Sequence, residues 1–157
     1  MRECANVIFR PAHAGEARVM AGMSRELVEA GLGWRYTPRR MTWLMRDPEA
    51  VALVAHDGSS IHGFALMQFG DEHAHLVLLC VQTMQRRRGI GRRLTEWLLE
   101  SARVAGIESI RLELRADNTA ALAFYRRLGF TETKLLPGYY DRRIPAQSMT
   151  LGLRGVT

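Results

Sequence analysis

Val81-Gln82-Thr83-Met84-Gln85-Arg86-Arg87-Arg88-Gly89-Ile90-Gly91-Arg92-Arg93-Leu94 decides how the rest of this chain is read. An apolar run over residues 76–81 feeds a basic loop, two glycines follow, and a helical pattern opens. Glycine lets a ligand approach the backbone because it carries no Cβ. The first turn of the following helix leaves amide N–H groups unpaired, and the helix dipole adds partial positive charge there. A phosphate or pyrophosphate suits such a cradle. A P-loop would need a lysine that this stretch lacks, and a Rossmann turn would need a third small residue where Arg93 or Leu94 stands.

Periodicity places the flanking elements. Ile90, Leu94, Trp97, Leu98 and Ala102 share one helical face, and Gly106 ends that helix. Residues 110–114 alternate as a strand, with Ile110, Leu112 and Leu114 on one side and Arg111, Glu113 and Arg115 on the other. Asp117 or Asn118 caps a short helix through Leu128, with Gly129 just past its end. Strands are expected over 130–136 and 148–153. Upstream, a strand over 6–11 precedes helices over 15–30 and 38–46. Thr37-Pro38 reads as an N-cap followed by proline at the first helical position. Strands follow at 51–55, 61–69 and 73–81. The order gives a mixed α/β (α+β) domain around one sheet.

Length and charge narrow the function classes. At 157 residues the chain fits about one domain with a real core. Its net charge of +6 is nearly all arginine, since Lys134 is the only lysine, so an anionic ligand or a nucleic acid is the partner class suggested. The Arg86–Arg88 run beside the glycines is the part of that charge with a local purpose. Arg92 and Arg93 extend it, but no aromatic-interleaved basic strand or helix-turn-helix supports nucleic-acid binding. No apolar run approaches the roughly 20 residues of a membrane helix. No apolar h-region follows Met1-Arg2-Glu3-Cys4, so no secretory leader is expected and the expected location is cytoplasmic. Cys4 and Cys80 lie far apart and outside any CxxC, which suits reduced thiols.

Arg86-x-x-Gly89-x-Gly91 resembles the Q/R-x-x-G-x-G/A signature of the GNAT superfamily of acyl-CoA N-acyltransferases. One helix and one strand later, Asn118-Thr119-Ala120-Ala121 through Tyr125-Arg126-Arg127-Leu128-Gly129-Phe130 resembles the superfamily's second block. Leu112-Glu113-Leu114-Arg115 and Pro137-Gly138-Tyr139-Tyr140 look most like the ribosomal-protein alanine N-acetyltransferases. The resemblance implies a single GNAT-like domain over 1–157. Its central, mostly antiparallel sheet would have about six to seven strands, splayed at the acyl-CoA site and flanked by about four helices. It implies acetyl-CoA as donor and a primary amine, on a small molecule or a protein, as acceptor. It implies that amides of Arg86, Arg87, Arg88, Gly89, Ile90, Gly91 and Arg92 bind the CoA pyrophosphate. The backbone of Leu79, Cys80 and Val81 would pair with the pantetheine like an added strand, with Asn118 shaping that wall. Two departures stand out. The proline that usually follows the strand is missing at Gln82-Thr83, and Ile144-Pro145 replaces an acidic pair of the alanine N-acetyltransferases. The ribosomal substrate is therefore not carried over.

The residues supply the chemistry such a transfer needs. A thiol of pKa about 8.5 leaves readily as thiolate, so a modest acid suffices, and Tyr125 is placed for it by the motif. A strand N–H near Leu79 or Cys80, freed by a bulge, could meet the oxyanion. Glu113 is the first candidate base and His75 the second; on an alternating strand His75 shares a face with Val77, Leu79 and Val81. Each has a structural alternative: packing for Tyr125, a cross-strand ion pair for Glu113, an exposed hairpin position for His75. Trp34, Arg35 and Tyr36 would face a loop bearing Tyr139 and Tyr140 across the acceptor groove. Glu72, His73 and His75 could be metal ligands, but nothing nearby completes a set at recognised spacing, so no metal is expected. Cys80, without a His partner, reads as core filler, which favours direct transfer in a ternary complex over an acyl-enzyme. Expected partners are acetyl-CoA and an amine, with a homodimer left open and neither membrane nor nucleic acid. A non-catalytic acyl-CoA sensor and a basic nucleic-acid binder are the rival readings.

Overall fold

The computed structural model describes residues 6–153; Cys4 and the other first residues lie outside that range. Strand β1 (Ile8–Pro11) leads through a single 3-10 turn at Ala14–Glu16 into helix α1 (Ala17–Leu27). Glu16 secures that entry by accepting the His13 backbone N–H at 2.8 Å and both guanidinium NH groups of Arg10 at 2.8 and 3.0 Å. The helix stops short of the expected Ala30. The Glu29 N–H bonds back to Ser24 O at 2.8 Å, and Gly31 follows at φ +80°. Helix α2 (Pro38–Arg46) begins as the Thr37-Pro38 pair predicts, with the Thr37 side chain accepting from the Arg40 N–H.

Strands β2 (Ala50–His56), β3 (Ile61–Phe69) and β4 (His73–Val81) form an antiparallel meander. Helix α3 (Ile90–Val104) crosses over to β5 (Ser109–Arg115), and α4 (Thr119–Arg127) leads to β6 (Thr131–Tyr140) and β7 (Ile144–Gly152). The seven strands order as β1-β2-β3-β4-β5-β7-β6, and β4–β5 is the parallel pair. This is the mixed α/β GNAT fold, with four helices on the two faces of the sheet.

The last two strands run longer than their sequence suggests. Pro137-Gly138 reads as a turn, but the chain stays in β6 and slips register between Leu136 and Tyr140. Proline is tolerated there because β6 is an edge strand and the slip is a bulge. The reversal falls instead at Asp141 and Arg142, at φ +50° and +58°.

Alternation along the strands divides the core. On β3, Phe64 and Leu66 pack with α1 and α2, while Ala65 and Met67 pack with α3. Gly63 lets α3 sit close to the sheet: a Cβ there would lie 2.9 Å from Cys80 O and 3.2 Å from Ile90 Cγ2.

β4 breaks the alternation. Ala74 and Leu76 belong to the α3–α4 side, whereas Leu78 and Cys80 belong to the α1–α2 side. The cause is a bulge at Val77: Met67 pairs with Leu76, yet Leu66 pairs with Leu78. His75 therefore shares a face with Leu78 and Cys80. Leu79 and Val81 turn to the opposite face, which corrects the grouping expected from strict alternation.

Candidate active site

β4 and β5 pair only from His73–His75 with Ser109–Arg111, and then they part. Beyond that point β4 keeps β3 on one edge and has an open edge on the other. Successive residues of a strand aim N–H and C=O at opposite edges. Gln82 N–H donates to His62 O at 2.8 Å, on the β3 side, and Cys80 pairs with Phe64. The backbones of Leu79 and Val81 consequently face the open fork. Arg86 Nε reaches Val81 O there at 3.4 Å. This removes Cys80 from the expected strand-like contact, because its backbone faces β3. Burial pushes its thiol up to about 12, which suits the core role expected of it.

A cavity of about 880 Å³ runs along this fork. One end is the cradle, where Gln85, Arg86, Arg87, Gly89, Ile90, Gly91 and Arg92 line the wall. Gly89, the N-cap of α3, is left-handed at φ +78° with open space where a Cβ would point. Arg87 is also left-handed, at φ +64°, a conformation most side chains avoid. Arg88 turns its guanidinium to Gln85 and is not part of the lining. Asn118 lines the wall and caps α4 by accepting the Ala121 N–H at 3.1 Å.

Three predicted residues, His75, Glu113 and Tyr125, also line the cavity. His75 Nε2 and Glu113 Oε2 are 2.6 Å apart across the fork. Ile110, Leu112 and Leu114 face the α3–α4 core, so Glu113 shares the α1–α2 side of the sheet with His75. The hydrogen bond from His75 holds the Glu113 carboxyl below the usual carboxylate range, against the opposing effect of burial. The two candidate bases are thus one pair. Of the two arginines expected as ion partners, Arg111 approaches Glu113 only at 3.7 Å and is largely exposed, and Arg115 pairs with Asp117 at 3.1 Å. Tyr125 enters the cavity from α4 on the opposite side of the sheet. Its ring packs edge-on against Phe124 and Phe130, at centroid distances of 5.1 and 5.6 Å. Packing and lining are therefore both true of it. Burial raises its phenol well above the ordinary value, so the hydroxyl stays protonated.

The far end is built by the 28–37 loop and the β6–β7 turn. Tyr36, Tyr139 and Tyr140 line it, with the last two rings edge-to-face at 4.9 Å. Trp34 does not line it, contrary to expectation. Its indole N–H donates to Ala21 O at 3.2 Å, and Arg25 covers the ring at 4.9 Å. The loop and the turn are tied together: Gly33 N–H donates to Asp141 Oδ2 at 2.9 Å, and Arg143 Nη2 to Gly31 O at 3.3 Å.

Glu29 is a site residue that sequence spacing does not reveal. It is buried, and its carboxylate accepts the Arg35 N–H at 2.7 Å, the Tyr36 N–H at 3.2 Å and the Ser24 hydroxyl at 2.9 Å. Its only signal in the sequence is a charge near the end of an amphipathic helix, which ordinarily faces solvent.

The suggested metal set comes apart. His75 bonds Glu113, while His73 Nδ1 meets Ser109 Oγ at 2.7 Å. Glu72, His73 and Glu108 do gather, each with one ligating atom within 4.8 Å of the others, at the start of β4 and outside the cavity. Among the described residues no helix is long and apolar enough to cross a membrane.

Known proteins share this architecture. Residues 23–130 match the model of the acetyltransferase (GNAT) family. The [ribosomal protein bS18]-alanine N-acetyltransferase of Salmonella typhimurium is 39% identical over 77 residues, which cover 49% of this chain and 52% of that protein. The match thus spans about half the length of that relative. Ard1 from Thermoplasma volcanium superposes with a TM-score of 0.85 at 25% identity, covering 96% of this chain and 99% of that one. The ribosomal-protein-S18-alanine N-acetyltransferase of Escherichia coli superposes at 0.83 with 22% identity, covering 96% of each chain. By its matched residues and its forked sheet, the chain belongs to the acetyltransferase (GNAT) family.

Proposed function

We propose that this protein is an acetyl-CoA-dependent N-acetyltransferase that moves an acetyl group directly to a primary amine. The observation that carries the reading is one cavity lined by the Gly89 cradle, the His75–Glu113 pair and Tyr125. The cradle fits a pyrophosphate, since Gly89 is left-handed at a helix start and its Cβ position is open. Amides of Arg87 and of residues 89–92 hold the diphosphate, because the Arg86 N–H is given to Thr83 O at 3.3 Å and Arg88 lies off the lining. The open edge at Leu79 and Val81 takes the pantetheine amides as a neighbouring strand would, and Asn118 shapes the opposite wall.

Amide formation requires a neutral amine, a donor for the developing oxyanion and a proton for the departing sulfur. The Leu79 N–H, on the open edge, is the oxyanion donor. Glu113 accepts the Nε2 proton of His75, which leaves the lone pair of the neutral imidazole on Nδ1. The pair then takes a proton from the amine as its nitrogen bonds the acetyl carbon. The Tyr125 hydroxyl gives its proton to the sulfur as the carbon–sulfur bond breaks, and solvent restores it. Tyr36, Tyr139 and Tyr140 form the acceptor wall. Cys80, buried and held as a thiol, takes no acyl group.

Free-thiol release from acetyl-CoA, measured with a panel of amines, tests the reading. Turnover with at least one amine is expected. Tyr125→Phe should lower kcat by about 10²-fold or more while acetyl-CoA affinity changes little. Tight acetyl-CoA binding without thiol release from any amine would favour a sensor and overturn catalysis. A cytoplasmic location is part of the proposal and is checked by fractionation of the source cells.

A further inference from the structure

The acceptor end of the cavity carries a guanidinium that has no ion-pair partner among the described residues. Arg35 lines the cavity, and among those residues no carboxylate forms an ion pair with its guanidinium. Of the other arginines of the lining, Arg86, Arg87 and Arg92 belong to the cradle, Arg127 to α4, and Arg115 is paired with Asp117 at 3.1 Å. Nearby acids are already committed. Glu29 spends its oxygens on backbone N–H groups and the Ser24 hydroxyl. Asp141 accepts from Gly33 N–H and faces Arg143, and Glu113 is held by His75.

The backbone of Arg35 is not free to drift. Glu29 grips two successive N–H groups, of Arg35 and Tyr36, and thereby fixes where both side chains start. Arg35 lies close enough to act electrostatically on the Tyr36 and Tyr140 phenols. Burial keeps both phenols protonated, so they are donors. Arg40 adds charge over the Tyr36 ring at 5.7 Å, and exposed Arg142 stands at the β6–β7 turn. A guanidinium beside phenolic donors is a carboxylate site.

We propose that the acceptor is an amine with a carboxylate close to it, and that Arg35 binds that carboxylate while the amine lies at the His75–Glu113 pair. This rests on the acetyltransferase reading above and adds the acceptor's charge to it. The carboxylate comes either from an acidic residue next to a peptide N-terminus or from the α-carboxylate of a free amino acid. Arg35 is a specificity-determining residue and takes no part in proton transfer.

The test is thiol release with three peptides of one length, differing only in glutamate, alanine or lysine after the N-terminal residue, beside free glutamate and alanine and their α-amides. At low ionic strength kcat/KM is expected to be at least about tenfold higher for the glutamate peptide than for the lysine peptide, or for the free amino acids than for their amides. The preference should shrink as salt is raised. Arg35→Glu should reverse it toward the lysine peptide, and Arg35→Lys should keep its direction. Turnover without charge preference, or a preference for lysine in the parent chain, overturns this inference and leaves the acetyltransferase reading standing. No turnover with any amine overturns that reading and this inference with it.

Discussion

Replacing Glu29 tests whether a single buried carboxylate builds the acceptor wall. The side chain accepts three hydrogen bonds, from Ser24 Oγ at 2.9 Å, Arg35 N at 2.7 Å and Tyr36 N at 3.2 Å. Glu29→Ala leaves all three donors without their acceptor at once. Arg35 is exposed, so its N–H regains water at little cost. Ser24 is fully buried and Tyr36 partly so, and a stranded buried donor costs about 1–3 kcal/mol. A loss of about 2–4 kcal/mol is therefore expected. Glu29→Gln is the control. Its carbonyl oxygen can keep both backbone N–H groups, and its NH₂ can donate to Ser24, whose hydroxyl accepts as readily as it donates. The Gln variant should lose under about 1.5 kcal/mol. Urea unfolding of the full chain at constant m separates the two. The acceptor KM should rise for Glu29→Ala more than kcat falls, because Arg35 and Tyr36 lose their anchor. If Glu29→Ala unfolds within about 0.5 kcal/mol of the parent with an unchanged acceptor KM, the reasoning is wrong.

Gly89→Glu should abolish acetyl-CoA binding while the circular dichroism spectrum is kept, since the Cβ has room but the carboxylate occupies the cradle; unchanged affinity by calorimetry would sink that assignment. Gly63→Ala should cost about 1–3 kcal/mol in urea unfolding, because its Cβ would press to 2.9 Å from Cys80 O and 3.2 Å from Ile90 Cγ2; parent-like stability would mean α3 is not seated as described. The Glu113 carboxyl is held below its ordinary value of 4.5 by His75, so its contribution to stability is in place above about pH 4.5 and lost as pH falls through the lower folded value. His75→Gln should flatten that acid loss, which unfolding curves between pH 5 and about pH 3 would measure; an identical acid slope in parent and variant refutes the pairing.

Some of this was legible in the sequence, for physical reasons that can be named. Thr37-Pro38, Asn118 and Gly129 are local devices whose geometry depends on near neighbours, and each sits where its chemistry predicts. The strand bounds of β3 and β4 agree with expectation as well. Long-range pairing was not legible. The extra residue at Val77 appears only when β3 is laid beside β4, and it changes which face every later residue of β4 presents. Pro137-Gly138 carries turn chemistry, yet β7 keeps that segment extended through a bulge. Glu29 carries no sequence signal of its role because its backbone donors lie six and seven residues later, in a loop with no periodicity. Trp34 looked like an acceptor aromatic because exposed aromatics suit amines, whereas its N–H was drawn to the end of α1.

The fork lets His75, Glu113 and Tyr125 line one cavity although they lie on different faces of the sheet, as the proposed reaction requires. A continuous sheet is a wall: the α1–α2 side and the α3–α4 side would not share a cavity. Here the β4–β5 pairing ends at His75 and Arg111, and the wall opens beyond it. The cradle and Tyr125 belong to helices of one face; the 28–37 loop, with Glu29, Arg35 and Tyr36, belongs to the other. The Val77 bulge turns Leu79 and Val81 toward the α3–α4 side while His75 stays with Glu113 on the α1–α2 side. A donor bound at the cradle and an amine entering past Arg35 would therefore approach from opposite faces and meet in the gap. On this argument, closing the fork should be as damaging as removing a catalytic group. The same layout separates the two ends, since they are built by different helices on different faces.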